Sequence, residues 1–227
     1  MNWPLSFIAN EKLYLRNPQE SDLGKNILRE GMIMMYELGL EDFTFKKLAV
    51  KLNTNESSQY RYFENKNRLL QYYFEWYWKW LDYQVFVFTQ NITNQTTNLD
   101  IILQIITSQK KMENSLDYWN KDNLLRNLYI KEGDKAYLTH QVLQDNQLRL
   151  FKTYKDLCYK ISVIISQIDP SFPYPRSLTS TIMEMAHHQI YFMNNLPSLT
   201  DFAQNKDEKE VYNFLKELCS RSLRIEI

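Results

Sequence analysis

Residues 43–70 constrain the fold of this chain more than any other stretch. Apolar residues recur in its first part at the spacing of one face of an α-helix: Phe45, Leu48, Ala49 and Leu52. Thr44, directly before them, is a residue type that caps helix N-termini by accepting a backbone N–H. The polar turn at residues 53–55 follows, and its asparagines tolerate the left-handed conformation that a sharp connection needs. The stretch therefore predicts two short helices joined by a tight turn, the outline of a helix-turn-helix.

A further helix is expected just before this motif. Ser21 and Asp22 offer a helix N-cap, apolar residues follow at helical spacing, and Gly39 is a favoured residue just past a helix end. The three expected helices cover about residues 22–38, 44–52 and 55–62. Residues 1–20 combine two prolines with many apolar residues, which predicts a short arm docked onto the helices behind it.

Composition predicts an all-α protein. The chain has 227 residues with only 4 glycines and 6 prolines, so few helix breakers interrupt it. Its formal net charge of zero gives no sign of a nucleic-acid partner. Residues 44–70, however, carry six basic and two acidic side chains. Clustered charge, rather than total charge, attracts phosphates, so this stretch remains a candidate nucleic-acid surface.

The cysteines and the absence of an apolar span indicate the compartment. Cys158 and Cys219 are too few for a disulfide framework, and both lie in apolar helical patterns, where a free cysteine is a small hydrophobe. The N-terminus lacks the basic opening and apolar run of a signal peptide. The sequence contains no stretch of about 18 uncharged apolar residues, so no membrane span is expected. We therefore expect a cytoplasmic protein with no membrane partner.

A string of aromatic and charged residues follows the predicted turn. It reads Tyr60-Arg61-Tyr62-Phe63-Glu64-Asn65-Lys66 and is followed by Leu69-Leu70. Glu37-Leu38-Gly39, Phe43-Thr44 and Leu48-Ala49 precede it. With these motifs the chain resembles the tetracycline-repressor (TetR) family of bacterial transcription regulators, over about residues 23–70. The resemblance implies a three-helix DNA-binding domain at 21–70, joined by a long helix to a helical effector-binding and dimerisation domain at 71–227.

The resemblance also implies which side chains meet a double-stranded DNA operator. Thr44, with the free N–H groups of its helix, and Lys66 would each meet a phosphate, and Lys46 belongs to the same surface. One of Tyr60 and Tyr62 would direct its hydroxyl to the DNA backbone, with the other nearer the core. The candidates to reach base edges are Asn55, Glu56, Ser57, Ser58 and Gln59. Asparagine and glutamine can pair with adenine and glutamate with the cytosine amino group, whereas Arg61 would take guanine or a phosphate.

Three positions depart from what the family's usual contacts with DNA would favour. Asn53 stands where the family usually has glycine, but asparagine also accepts the turn conformation. Gln59 stands where the family has an apolar residue, so its side chain either faces solvent or contacts DNA. Glu56 is unfavourable beside phosphates unless it reads a cytosine or pairs with a lysine. A helical interaction module with a degenerate helix-turn-helix is therefore the alternative function.

Residues 72–88 form the densest aromatic run in the chain. Ten of these seventeen residues are aromatic, so a helix here has no polar face and needs cover on several sides. A membrane-surface role is the rival explanation, but Glu75, Lys79 and Asp82 interrupt the run. The aromatic and methionine content predicts a small apolar effector. Six residues are candidates to line its pocket: Trp76, Trp80, Trp119, Phe151, Met185 and Met193.

The rest of the chain reads as helices without a catalytic motif. The longest is expected at about residues 136–168, and the last two at about 177–195 and 207–223. The resemblance implies that these last two helices pair with their copies in a homodimer. The candidate interface residues are Ile182, Met185, Gln189, Val211, Phe214 and Leu218.

His187 and His188 are the pair most suggestive of a metal site. Adjacent histidines point in different directions on a helix, and only Glu184 lies at a ligand spacing from His187. We therefore expect no metal and no cofactor. The sequence also lacks a glycine-rich phosphate loop and a nucleophile elbow, so we expect no enzymatic activity. The preferred function is a dimeric DNA-binding transcription regulator, acting as a repressor, with a ligand-responsive helical domain.

Overall fold

A computed structural model describes residues 8–110 and 123–225, and every regular element in these two ranges is helical. The α-helices are α1 (Asp22–Asp42), α2 (Phe45–Lys51), α3 (Glu56–Tyr60), α4 (Lys66–Thr89), α5 (Gln95–Ile106), α6 (Leu124–Glu132), α7 (Val142–Gln147), α8 (Lys152–Ile168), α9 (Pro175–Asn195) and α10 (Glu208–Leu223). The short 3₁₀ helices are Glu11–Leu13, Pro18–Glu20, Gly133–Ala136 and Pro197–Leu199. The all-α class is confirmed. Within the same ranges, no helix has the length and hydropathy needed to cross a membrane.

The chain divides into two compact units whose boundaries differ from the expected domains. One unit comprises residues 1–79 and 114–152, and the other comprises 80–113 and 153–227. The first unit thus contains the helix-turn-helix helices together with α6 and α7, which were expected in the domain at 71–227. The reason is tertiary packing, because α6 lies along α1 in this unit.

Tyr129 of α6 shows how the first unit is held together. Its ring centroid lies 4.8 Å from that of Phe74, 4.9 Å from that of Tyr77 and 4.7 Å from that of Trp78, all on α4. Every residue at positions 69–78 is buried. The cover that the aromatic run was expected to need is therefore present along this part of α4, and α6 belongs to the same unit as the helix-turn-helix.

The prediction of a single helix at about residues 136–168 is wrong, because the structure has two separate helices, α7 and α8, in this range. Arg149 lies between α7 and α8 and has a φ of 59°. A residue in this left-handed conformation directs the chain out of the helical path. The apolar face of α8 is buried nonetheless, since Leu157, Ile161 and Ile165 are fully buried.

In the second unit, α10 packs against α9 and α5. Asp100 of α5 joins two of these helices, since its carboxylate accepts hydrogen bonds from Tyr212 Oη at 2.6 Å and Lys216 Nζ at 2.9 Å. Burial alone would raise the pKa of Asp100, but the hydrogen bonds from Tyr212 and Lys216 hold this pKa below its usual value. The carboxylate is therefore ionised at neutral pH and supports the contact between α5 and α10.

Burial keeps both cysteines in the thiol form. Burial raises the pKa of the Cys219 thiol to about 12 and that of the Cys158 thiol to about 11. Both thiols are therefore protonated at neutral pH, and a protonated thiol is a poor nucleophile and a poor metal ligand.

Gly24 allows α1 to pass close to the arm before it. A Cβ atom at this position would lie 2.2 Å from the carbonyl oxygen of Pro18. We expect Gly24→Ala to lower the free energy of unfolding by about 1–3 kcal/mol, because the backbone must shift to admit the methyl group. The neighbouring change Lys25→Ala should stay within about 0.5 kcal/mol. Urea denaturation measures both, and equal values for the two variants would contradict this account.

Candidate nucleic-acid interface

The turn between α2 and α3 has the geometry that its asparagine predicts. Asn53 has a φ of 52°, the left-handed conformation, and its N–H donates to the Val50 carbonyl oxygen at 3.1 Å. The Thr54 N–H donates to the Ala49 carbonyl oxygen at 2.9 Å. Thr44 caps α2, because its Oγ1 accepts from the Lys47 N–H at 3.1 Å. These local hydrogen bonds hold α2 and α3 in a defined mutual orientation.

The N-terminal end of α3 carries a small network centred on Asn55. Asn55 Oδ1 accepts from the Ser58 N–H at 3.2 Å and from the hydroxyls of Ser57 and Ser58, each at 2.7 Å. Asn55 and Ser57 are exposed, while Glu56 and Ser58 are half-buried. The network occupies the Asn55 oxygen and both hydroxyl protons. It leaves the Asn55 amide N–H₂ group as a donor and the two serine oxygens as acceptors.

Gln59 is not available to DNA, which corrects the expectation that it reaches solvent or a base edge. Its side chain is fully buried. In the orientation that satisfies both ends of its amide, the nitrogen donates to the carbonyl oxygens of Asn55 and Glu56 at 2.7 and 3.0 Å. The amide oxygen then accepts from Thr54 Oγ1 at 3.0 Å. Gln59 therefore replaces an apolar core residue by bonding to the turn and to its own helix.

Lys66 has a different role from the one expected. Its ammonium group donates to the carbonyl oxygens of Leu40 at 2.7 Å, Glu41 at 2.8 Å and Phe43 at 3.2 Å. All three of its protons are thus directed at the main chain where α1 ends and α2 approaches. The structure assigns Lys66 to positioning these helices, rather than to presenting a free charge to a phosphate.

The two tyrosines after α3 take separate positions. Tyr60 is 48% exposed, and its ring packs edge-on against Phe45 with centroids 5.0 Å apart. Tyr62 is buried, and its hydroxyl lies 2.7 Å from Ser21 Oγ at the start of α1. Tyr60 is therefore the exposed tyrosine of the pair, and Tyr62 is the one nearer the core.

The exposed positive charges around α2 and α3 have no carboxylate partners among the residues that the structure describes. Lys46, Lys51 and Arg61 are exposed, and none forms an ion pair within the described ranges. Lys47 is also exposed, and its ammonium group donates to the Asp42 carbonyl oxygen at 2.7 Å. Lys51 and Lys47 were not among the expected contacts, although the local excess of basic residues already indicated them. This surface is suited to attract a polyanion.

The residues expected to line an effector pocket fall into both units. Trp76 and Phe151 belong to the first, and Trp80, Met185 and Met193 belong to the second. Trp76 and Met193 are buried, whereas Met185 and Phe151 are half-buried. Trp119 lies outside the described residues. A pocket lined by these residues stays a prediction.

Two of the residues expected at a dimer interface are in the core of the second unit instead. Ile182 of α9 and Val211 of α10 are fully buried within the single chain. They cannot contact a partner, because their own unit already covers them. The other expected residues retain accessible surface: Met185, Gln189, Phe214 and Leu218.

The histidine pair has ordinary packing partners. His187 is buried, with Nδ1 2.8 Å from the Met183 carbonyl oxygen. The His188 ring stacks on Phe192, with centroids 6.0 Å apart. Across residues 8–110 and 123–225, no group of three or more His, Cys, Asp or Glu side chains is arranged to hold a metal ion.

Comparisons with known proteins bear on the fold. No protein-family model and no curated protein matches the sequence. Among solved structures, the chain is similar to AibR in complex with isovaleryl coenzyme A and operator DNA. The TM-score is 0.58, and the match covers 87% of this chain and 96% of that chain at 14% sequence identity. At this identity the likeness establishes the fold alone: the chain has an all-α fold similar to that of AibR.

Proposed function

We propose that this chain is a DNA-binding transcription regulator that places α3 in the major groove of its operator. The observation that carries the proposal is the surface around α3, where the polar groups of Asn55, Glu56 and Ser57 lie among exposed basic residues. Within the described part of the chain these basic residues have no carboxylate partners. The cations supply affinity for phosphates, and the polar edge supplies contacts to bases. The likeness to AibR, which was solved with operator DNA, supports the same function.

The Asn55 network supports a more specific proposal about the bases that α3 contacts. Because Asn55 Oδ1 already accepts three hydrogen bonds, Asn55 does not offer the oxygen that a bidentate contact to adenine requires. Ser57, Ser58 and Glu56 offer acceptor oxygens instead. Acceptors pair with the exocyclic amino groups of cytosine and adenine in the major groove. We propose that α3 favours amino groups at the positions it contacts, and that Glu56 belongs to the reading edge.

We further propose that the regulator is a homodimeric repressor. The accessible residues of α9 and α10 pair with their copies, so that two α3 helices meet half-sites about 34–36 Å apart, or a multiple of that distance. The core position of Ile182 and Val211 shifts the interface toward Gln189, Phe214 and Leu218.

A small apolar or acyl-bearing effector is proposed to release the DNA. AibR was solved with isovaleryl coenzyme A, whose acyl group is branched and apolar, and the aromatic and methionine content of this chain suits such a group. Coupling between effector and DNA of about 1–3 kcal/mol is expected for a switch of this kind.

Arg61→Ala tests the proposal. The protein is titrated against duplex DNA from the region upstream of its own coding sequence, and binding is followed by fluorescence anisotropy at several salt concentrations. We expect the wild type to bind with a Kd that rises steeply with salt, and Arg61→Ala to bind about tenfold more weakly. If Arg61 meets a phosphate, the loss is the same for all sequences, whereas a guanine contact relaxes specificity at one position.

Arg176→Ala is the matched control, because Arg176 is an exposed arginine at the start of α9, in the second unit. It should bind like the wild type. Salt-insensitive binding by the wild type, or equal affinities for wild type and Arg61→Ala, would contradict the proposal that the chain is a DNA-binding regulator. Either result would favour a helical interaction module.

A further inference from the structure

The arm before α1 is attached to the loop that follows α3. The Leu15 N–H donates to the carbonyl oxygen of Tyr62 at 2.8 Å. The Tyr62 hydroxyl in turn meets Ser21 Oγ, the N-cap of α1, at 2.7 Å. Leu13 of the arm is buried, which anchors the segment from the other side. The arm is therefore fixed beside the C-terminal end of the proposed reading helix.

Arg16 is the charged residue that this attachment positions. Its guanidinium carbon lies 5.5 Å from the centroid of the Tyr62 ring, a cation–π geometry, and the residue is exposed. No carboxylate in the described part of the chain forms an ion pair with it. Arg61, one of the exposed cations beside α3, immediately precedes Tyr62 in the chain. The guanidinium of Arg16 is thus held near that end of the basic surface.

We propose that the arm is a DNA-binding element, with Arg16 donating to a backbone phosphate next to the groove that α3 occupies. The proposal rests on the proposed function, since it extends the same DNA surface. A guanidinium fixed over an aromatic ring keeps its N–H edge available for a bidentate contact with phosphate oxygens. Because Tyr62 already holds the side chain, less conformational entropy is lost when the phosphate binds.

The arm is not a general basic tail, which makes the proposal specific to one residue. From residue 8 to residue 20 it contains Lys12 and Arg16 but also Glu11 and Glu20, so its net charge is zero. Glu20 accepts a hydrogen bond from Asn17 at 3.0 Å. Lys12 is also an exposed cation, but the cation–π contact with Tyr62 is made by Arg16. Of the two cations in the arm, only Arg16 should affect DNA binding.

The test compares full-length wild type, Arg16→Gln and Lys12→Gln on two duplexes, the upstream region used above and a random sequence of equal length. Anisotropy titrations give the slope of log Kd against log salt concentration. We expect Arg16→Gln to reduce this slope by about 0.9 for each phosphate that is no longer neutralised, or about 1.8 for two bound subunits. Lys12→Gln should keep the wild-type slope. Both duplexes should respond alike, because a phosphate contact carries no sequence information.

Hydroxyl-radical footprinting on the upstream duplex adds a second measurement. Arg16→Gln should lose backbone protection at one position per half-site and keep the protection given by α3. If the wild type binds DNA as expected and Arg16→Gln shows the same slope and the same footprint, the arm does not bind DNA. The proposal that the chain is a DNA-binding regulator would then still stand. If Arg16→Gln binds more weakly but keeps the slope of log Kd against log salt concentration, Arg16 has a structural role. That result would also overturn the proposed phosphate contact. Absence of salt-dependent binding by the wild type would overturn both proposals.

Discussion

Replacing Asp145 by alanine is expected to lower the free energy of unfolding by about 3–5 kcal/mol. Asp145 of α7 is buried, and its carboxylate accepts from Arg68 Nη1 at 2.7 Å and from Gln71 Nε2 at 2.8 Å. The Arg68 side chain is only 11% exposed, so alanine at position 145 leaves a nearly buried guanidinium without its close carboxylate partner. Its Nη1 then retains the neutral Gln71 Oε1, at 2.8 Å, as a close acceptor. Glu64 lies 3.8 Å away but is 68% exposed, and solvent screens its contribution. Urea denaturation followed by circular dichroism measures the loss.

Two further variants isolate the cause of this loss. Asp42→Ala removes an exposed carboxylate in the same unit, at the end of α1, and should change the free energy of unfolding by less than about 0.5 kcal/mol. The double change Arg68→Met and Asp145→Leu removes both charges together and should recover at least half of the loss, because no unpaired charge remains buried. A loss below about 1 kcal/mol for Asp145→Ala would contradict the importance of this ion pair.

Lys66→Met is expected to lower the free energy of unfolding by about 2–4 kcal/mol and to weaken DNA binding without changing its salt dependence. The methionine keeps the length of the side chain but donates nothing to the carbonyl oxygens of Leu40, Glu41 and Phe43. The junction between α1 and α2 is then no longer tied to the start of α4. Affinity falls because Thr44 and α3 are held less firmly, while the number of phosphates bound stays the same.

Lys46→Met is the matched control for this result. Lys46 is exposed on α2 and has no ion-pair partner in the described ranges. This variant should be as stable as the wild type but should reduce the slope of log Kd against log salt concentration by about one per subunit. The opposite result would be a Lys66→Met variant as stable as the wild type, with a reduced slope of log Kd against log salt concentration. It would show that Lys66 contacts a phosphate.

The helix-turn-helix could be predicted because its determinants act over a few residues. Thr44 caps α2 through an N–H three residues ahead, and Asn55 does the same for α3. Asn53 adopts the left-handed turn that its residue type permits. Such interactions are contained in a short window of sequence, so α2 and α3 lie within two residues of their expected limits. The long α4 was also predictable, because a helix through its aromatic run needs cover on several sides.

Side-chain roles that depend on distant parts of the chain required the tertiary structure. The burial of Gln59 depends on how α3 packs, and the carbonyl oxygens bound by Lys66 lie 23 to 26 positions earlier in the chain. Ile182 and Val211 show apolar helical spacing, which marks a buried face without distinguishing the core of one chain from an interface between two.

The sequence by itself thus determined the helical class, the helix-turn-helix and the basic character of its surface. Only the tertiary structure decided which residues of that surface are accessible, that α6 and α7 belong to the same unit as the helix-turn-helix, and that Arg16 lies over Tyr62. The physical reason is the range of the interactions. Capping, turn conformation and helical periodicity are set by neighbours in the chain, whereas burial and ion pairing depend on residues that folding brings together from far apart.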